Sequence, residues 1–317
     1  MTQPETSAFD PAAVSVETQR FLDLFAAATA GAPSAVDTPI TALRAARAAG
    51  SAALPAPVKL DSAENCTIPG PGGGIALRIF RPVVSSGAFL HFHGGGFVMG
   101  GPDQQDVMLD RIAQEAGLTV VSAGYRLAPE HAFPAALEDC HTAARWFLDQ
   151  LAAGSFGGSK GLIGGDSAGA YLAVQTLIGL RDEGRPGCFS AALLNYGAFD
   201  LSLTPSARNW GERYAIISTP ILRKYLDMFV PAGADRTAPS LSPLYADLSG
   251  LPQALFIIGT QDPLLDDSLF MAQRWQAAGG RAEIAIYAGG IHAFNAFPID
   301  IGRAATQKQI AFLRAAS

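Results

Sequence analysis

The sequence predicts an α/β fold with a mostly parallel central sheet flanked by helices, and two observations carry that prediction. From about residue 63 onward, short β-rich runs alternate with helical ones: GIALRIFRP, AFLHFH, LTVVSAGY, KGLIGGD, SAALLNYG, QALFIIGT and RAEIAIY. Several of these runs are almost continuously apolar, as strands covered on both faces must be. Helix-like stretches fall between them, near 104–116, 134–152, 168–181, 264–278 and 302–315. In such sheets, chemistry belongs on loops at the carboxyl ends of the strands.

The N-terminal 57 residues are different, being rich in Ala, Pro and Thr. Phe21, Leu24, Phe25 and Ala28 recur at helical spacing. A second helix is expected where Thr38 caps, Pro39 takes the first helical position, Ile40 and Leu43 share a face, and Gly50 ends the run. Short helices with one apolar face need a surface to cover, so residues 1–57 read as a helical cap segment over a catalytic domain spanning 58–317. The alternative is a poorly ordered extension. The stretch 199–249 breaks the strand–helix alternation, carries Trp210, Tyr214, Tyr225, Met228 and Phe229, and reads as the rest of the cap.

Length and composition set the outer bounds. The chain has 317 residues, 22 Lys plus Arg against 28 Asp plus Glu, and a net charge of −6, which argues against nucleic acid as a partner. At 49% hydrophobic with 18 Phe it can bury a sizeable core. No basic residue precedes Arg20 and no apolar run follows, so no secretory signal is expected and the cytoplasm is the expected compartment. The most membrane-like window, 162–180, contains Asp166, Ser167 and several Gly, and suits a core strand and buried helix better than a membrane span. Cys66, Cys140 and Cys188 are far apart and form no CxxC pair, which predicts reduced thiols.

Two glycine-rich motifs sit at predicted strand ends. Gly165-Asp166-Ser167-Ala168-Gly169 closes one strand and opens a helix. That turn is so sharp that the residues two either side of the serine must lack bulk, which leaves the hydroxyl exposed as a nucleophile. Phosphate binding or plain close packing are the other uses of such a turn. Upstream, His93-Gly94-Gly95-Gly96-Phe97 follows a strand, and glycines there let backbone amides face an oxyanion. A dinucleotide loop is disfavoured because no helix follows in the G-x-G-x-x-G pattern.

A serine nucleophile needs a base, and the base needs an acid to orient it. Of the five histidines, His91 and His93 lie in the strand and loop just described, His131 in a proline-bearing loop, and His141 inside a helix. His292, after the last strand, is the candidate base. Asp262 is the first acid beyond the preceding strand, although an Asp before Pro263 also looks like a helix cap; Asp266 and Asp267 are the fallbacks. The order Ser167, Asp262, His292 is that of an α/β-hydrolase. His91 and His93 could share a strand face, but no third ligand stands at a recognisable spacing, so no metal is expected.

Five motifs in order, HGGGFVMGG, YRLAPEH, GDSAG, DPLLD and GGIHAF, make residues 60–317 resemble the bacterial hormone-sensitive-lipase-like esterases, in the subgroup whose nucleophile motif reads GDSAG. The resemblance implies an α/β-hydrolase fold with a helical cap, Ser167 as nucleophile, His292 as base and Asp262 as its partner. It implies an oxyanion hole from the amides of Gly95, Gly96 and Ala168, with Gly94 shaping the loop. It also implies that Glu130 and His131 stabilise the loop beneath that site, and that homodimers form through the last strand, about Arg281 to Tyr287. The activity implied is hydrolysis of small, short- to medium-chain carboxylic esters without a cofactor, away from membranes. Phe21, Leu24, Phe25, Trp210, Tyr214 and Met228 are the candidates to line the substrate pocket. A ligand-binding protein on this fold, as in the gibberellin receptors that resemble the family, should lack a working histidine. An amidase or peptidase should carry a larger accessory domain than 60 residues allow.

Overall fold

Side chains along each central strand point alternately to two apolar layers, as the pleat requires. In the computed structural model, which describes residues 6–51 and 53–317, β3 (Gly87–Phe92) sends Ala88, Leu90 and Phe92 into the larger layer and Phe89 into the smaller. Strands β5 (Lys160–Asp166), β6 (Ala191–Asn195) and β7 (Gln253–Gln261) repeat the alternation: Ile163, Leu194 and Phe256 go one way, Leu162, Leu193 and Leu255 the other. Helices α4 (Ala135–Ala152), α5 (Ala168–Asp182) and α8 (Leu265–Ala277) cover the larger layer, and α3 (Asp106–Ala116) and α9 (Asp300–Ala316) the smaller.

The eight strands lie in the order β1-β2-β4-β3-β5-β6-β7-β8, where β1 is Glu64–Gly70, β2 Gly73–Phe80, β4 Thr119–Ala123 and β8 Ala282–Ile291. All pairs from β4 to β8 are parallel, while β1 and β2 are antiparallel additions at one edge. The seven expected strands are present and β1 is an eighth. Its sequence, ENCTIPG, buries only Ile68 and carries Pro and Gly, so neither alternation nor an apolar run marks it.

Both expected N-terminal helices form, as α1 (Val16–Thr29) and α2 (Ile40–Ala49). The cap of α2 differs from expectation: Pro39 itself occupies the N-cap position, and the Thr38 hydroxyl donates back to Ser34 O at 2.8 Å. Gly50 does end the helix, with φ +82°. Helix α1 lies over the carboxyl end of β8, where a Cβ on Gly289 would come within 2.8 Å of Thr18, and Thr18 Oγ1 donates to Asp300 at 2.7 Å. Within 199–249, α6 (Pro205–Asn209) precedes α7 (Thr219–Phe229), which buries Ile221, Leu222, Tyr225, Leu226 and Phe229 along one face. Among the described residues no helix is long and apolar enough to cross a membrane.

One buried ion pair ties the β1–β2 edge to the body. Arg78 Nε donates to both carboxylate oxygens of Asp106 at 2.8 Å, and Asp106 also accepts from the Leu60 amide at 2.7 Å. The side chains are 7% and 0% exposed. Removing one partner leaves a buried charge without its counterpart, so Asp106→Ala should lower stability by about 3–5 kcal/mol in urea unfolding. The paired change Arg78→Met with Asp106→Leu should cost clearly less than that single substitution.

Candidate active site

Four strand ends meet at one level of the sheet. Phe92 on β3 stands beside Gly165 on β5, Asp166 beside Asn195 on β6, and Asn195 beside Ile257 on β7. Ser167 directly follows β5, Asp262 follows β7, and His292 follows β8. Between β7 and β8 the register shifts at Gly259–Gln261, and a Cβ on Gly259 would lie 2.0 Å from Gly290 O. Only glycine permits that approach, which carries Asp262 and His292 toward each other.

The turn at the serine is strained in the way its spacing predicts. Ser167 has φ +55° and ψ −117°, far from the ordinary regions for a residue with a side chain. A Cβ on Gly165 would sit 2.5 Å from Phe92 O, and one on Gly169 2.0 Å from the same oxygen. Ser167 is partly accessible, whereas Asp262 and His292 are 1% and 4% exposed.

The three side chains are hydrogen-bonded in series. Ser167 Oγ lies 2.9 Å from His292 Nε2, and His292 Nδ1 lies 2.9 Å from Asp262 Oδ2. With the ring proton on Nδ1 donated to the carboxylate, Nε2 is free to accept from the hydroxyl. Asp262 Oδ1 meanwhile accepts from the Leu264 amide at 2.8 Å, so the cap-like and triad-like readings of this residue are both realised. The fallbacks are engaged elsewhere: Asp266 accepts from the Ser206 amide, and Asp267 from the amides of Phe199 and Asp200 and the Thr204 hydroxyl.

Gly95 and Gly96, at φ +128° and +60°, open the loop after β3. Among the described residues their amides, and that of Ala168, donate to no protein acceptor. Gly94 lies against the turn, where a Cβ would be 3.5 Å from Ser167 Cβ. A Cβ on Gly96 would meet Tyr225 at 2.5 Å, which places the Tyr225 ring over the loop.

Of the six pocket candidates, the structure gathers some and separates others. Phe21 and Phe25 are neighbours at 5.8 Å between centroids, Phe25 stacks on Tyr214 at 6.0 Å, and Phe297, in the loop after His292, joins them at 4.7 Å from Phe21. Trp210 carries the Arg213 guanidinium over its ring at 4.3 Å. Leu24, just beyond the edge of the buried stripe of α1, is 61% exposed and stands apart from the aromatic group. Met228 packs on the larger apolar layer. Tyr225 and Phe297 complete the set, and neither could be distinguished by periodicity from ordinary core aromatics.

Sequence reasoning also missed the polar network behind the serine. Asp166 accepts from Gln105 Nε2 (2.6 Å), Asn195 Nδ2 (2.6 Å) and His91 Nε2 (3.1 Å), and Tyr196 Oη lies 3.3 Å away. Tyr196 Oη donates to Asn295 Oδ1 at 2.8 Å, and its ring meets His292 edge-on at 4.9 Å. Burial alone would raise the Asp166 carboxyl, but His91, Asn195 and Gln105 hold it below its ordinary value. Among the described residues His91 Nδ1 has no hydrogen-bond partner. The one available signal was position: Asn195 and Tyr196 end the strand next to the nucleophile's. Among the described residues, no three His, Cys, Asp or Glu side chains converge as a metal site.

A serine, a histidine and a carboxylate in series, with free amides at hand and a parallel sheet beneath, define a hydrolase of the α/β class. The chain belongs to that family, the hormone-sensitive-lipase-like α/β-hydrolases, whose fold model matches residues 89–296. It is 33% identical over 233 residues to an acetyl esterase of Salmonella choleraesuis, covering 73% of this chain and 72% of that one. A carboxylic ester hydrolase of Mycobacterium tuberculosis is 34% identical over 292 residues, or 89% and 77% of the two chains. Among solved structures, an ester hydrolase from the metagenome of Lake Arreo, complexed with a bipyridine phosphonate derivative, superimposes with a TM-score of 0.84 at 32% identity, covering 95% and 98%.

His93 supplies a pH-dependent term in stability. Its ring stacks on Tyr125 at 4.1 Å and its Nδ1–H donates to Gly94 O at 2.8 Å. Burial lowers its pKa from 6.5 to about 4. Below pH 6.5 the unfolded chain binds a proton that the folded chain refuses, so this contribution is intact above 6.5 and declines as pH falls toward 4. The loss should reach about 3 kcal/mol. Urea unfolding across that range should show His93→Phe, which has nothing to protonate, falling less steeply than the parent.

Proposed function

We propose that the protein is a serine carboxylesterase acting through an acyl-enzyme on Ser167, a reading carried by the unbroken hydrogen-bond series from Ser167 Oγ through His292 to Asp262. Ser167 Oγ attacks the ester carbonyl carbon while His292 Nε2 takes its proton. The resulting oxyanion accepts from the amides of Gly95, Gly96 and Ala168. The intermediate collapses as His292 returns the proton to the leaving alcohol, and water, deprotonated by the same nitrogen, then releases the acid. Asp262 holds the ring in the required tautomer. No cofactor enters these steps.

Residues 1–57, of which 1–5 and 52 lie outside the described residues, and residues 199–249 act as the cap in this reading. The aromatic group of Phe21, Phe25, Tyr214 and Phe297, together with Tyr225 over Gly96, supports a closed apolar pocket suited to short or medium acyl chains. The acetyl esterase relative points the same way. The motif Gly165–Gly169 supports placement in the GDSAG subgroup, and the three free thiols are in keeping with the cytoplasm.

Purified protein should hydrolyse p-nitrophenyl esters with a preference at the short end of an acetate-to-palmitate series. Ser167→Ala should be inactive, and Asp262→Asn should lose roughly 10³–10⁴-fold in kcat while staying folded. Full activity in Ser167→Ala would end the acyl-enzyme reading.

The same reading includes a homodimer through β8. Among the described residues this strand pairs with no strand but β7, and Ile284 and Ile286 along it are half-buried. Light scattering should return twice the chain mass for the parent and the chain mass for Ile286→Lys; a monomeric parent would exclude the dimer.

A further inference from the structure

The loop that carries Gly95 and Gly96 is closed on itself only in part. The amides of Val98 and Met99 both donate to Gly95 O at 3.1 Å, and Phe97 O accepts from the Ala128 amide at 2.9 Å. The outward carbonyl of Val98 is satisfied by a side chain from a distant segment. Arg44, on α2, donates from Nε to Val98 O at 2.7 Å and from Nη2 to Ala128 O at 2.9 Å. The other side of the fork grips Glu130, Nη1 to Oε1 at 2.8 Å and Nη2 to Oε2 at 2.7 Å. A planar guanidinium is the one side chain able to meet two carbonyls and a carboxylate in this way.

Two further contacts tie the same region together. Lys224, on α7, donates to Ala35 O and Val36 O at 2.8 Å and to Thr38 O at 2.5 Å, gathering the carbonyls that lead into α2. The next residue, Tyr225, lies over Gly96. Both segments read as cap therefore bear on the loop, one through a ring and the other through Arg44. Arg44 touches neither Ser167 nor His292, so any effect on the reaction passes through the loop.

We propose that Arg44 is a positioning residue for the oxyanion loop: it fixes the Gly95 and Gly96 amides through Val98 O and Ala128 O, and so couples their alignment to the seating of α2. The inference rests on the reading of those amides as oxyanion donors. An exposed Arg–Glu pair by itself would contribute little; here the pair holds the guanidinium where its remaining donors reach two carbonyls. The hydrogen bonds from Arg44 lower the Glu130 pKa to about 2, so the carboxylate is charged at neutral pH.

The test compares Arg44→Met and Arg44→Lys with the parent in two measurements: kcat and KM on p-nitrophenyl acetate, and inhibition by an aryl trifluoromethyl ketone. With the ketone, Ser167 Oγ adds to the carbonyl carbon, its proton passes to His292 Nε2, and the carbonyl oxygen becomes an oxyanion in the hole. Arg44→Met should lower kcat about tenfold with KM nearly unchanged, and weaken the ketone by about the same factor, because both report the charged state alone. Arg44→Lys, whose single ammonium cannot serve both carbonyls and the carboxylate, should fall between parent and Met. Glu130→Gln, which keeps an acceptor for Arg44, should lose less than Arg44→Met.

Unchanged kcat and ketone affinity in a folded Arg44→Met protein would overturn the proposal. So would a rise in KM with ketone affinity intact, which would mark a role in substrate entry alone. If Arg44→Met does not fold, Arg44→Lys decides by the same two measurements. Failure of the esterase reading looks different: the parent itself would then form no ketone adduct on Ser167.

Discussion

The approach of the turn after β5 to the last carbonyl of β3 is the constraint on which the site depends. Gly165 and Gly169 are both pressed against Phe92 O, at distances that no Cβ survives. That contact forces Ser167 into a conformation costing about 1–3 kcal/mol. In return it lifts the hydroxyl clear of the helix that begins at Ala168 and directs that helix's free amides at the same point. The Ser167 amide donates to Asn195 O at 2.9 Å, which anchors the strained residue to the next strand. A looser turn would lose the alignment with His292 and with the amide of Ala168 together.

A second constraint is the buried carboxylate of Asp166. Three donors from three segments, His91, Gln105 and Asn195, converge on it, and Tyr196, 3.3 Å away, gives its proton to Asn295 in the loop that presents His292. A buried charge is tolerated only when its hydrogen-bonding capacity is filled. The network therefore resists displacement of any member, and it fixes the distance between the serine turn and the histidine loop independently of the Ser167–His292 bond.

Much of this was legible because local chain geometry dictated it. Gly165, Ser167 and Gly169 obey a steric rule of one turn, and the positions of Asp262 and His292 just past strand ends follow from sheet topology. The network around Asp166 was illegible for the opposite reason: Gln105, Asn195, Tyr196 and Asn295 are polar residues of common types, joined only by the tertiary fold. The edge strand β1 escaped notice because Pro69, Gly70 and one buried side chain, Ile68, leave no pattern to read. Thr38 misled through a genuine capping preference, but its hydroxyl finds Ser34 O instead. Leu24 misled through periodicity: it neighbours Phe21 and Phe25 on the helix, yet lies beyond the edge of the buried stripe.

Asp262 shows why two competing readings of one residue need not exclude each other. A carboxylate has two oxygens and about four acceptor sites. Oδ1 closes the turn into α8 on the Leu264 amide, and Oδ2 receives His292 Nδ1. The first bond orients the side chain, and the second uses the orientation so fixed. The same economy holds at Arg44, where a carboxylate that contributes little alone orients the group that secures the loop. In both places a hydrogen bond outside the reaction sets the direction of a group one step nearer to it, which is how a site built from loops is held to the tolerance that acyl transfer demands.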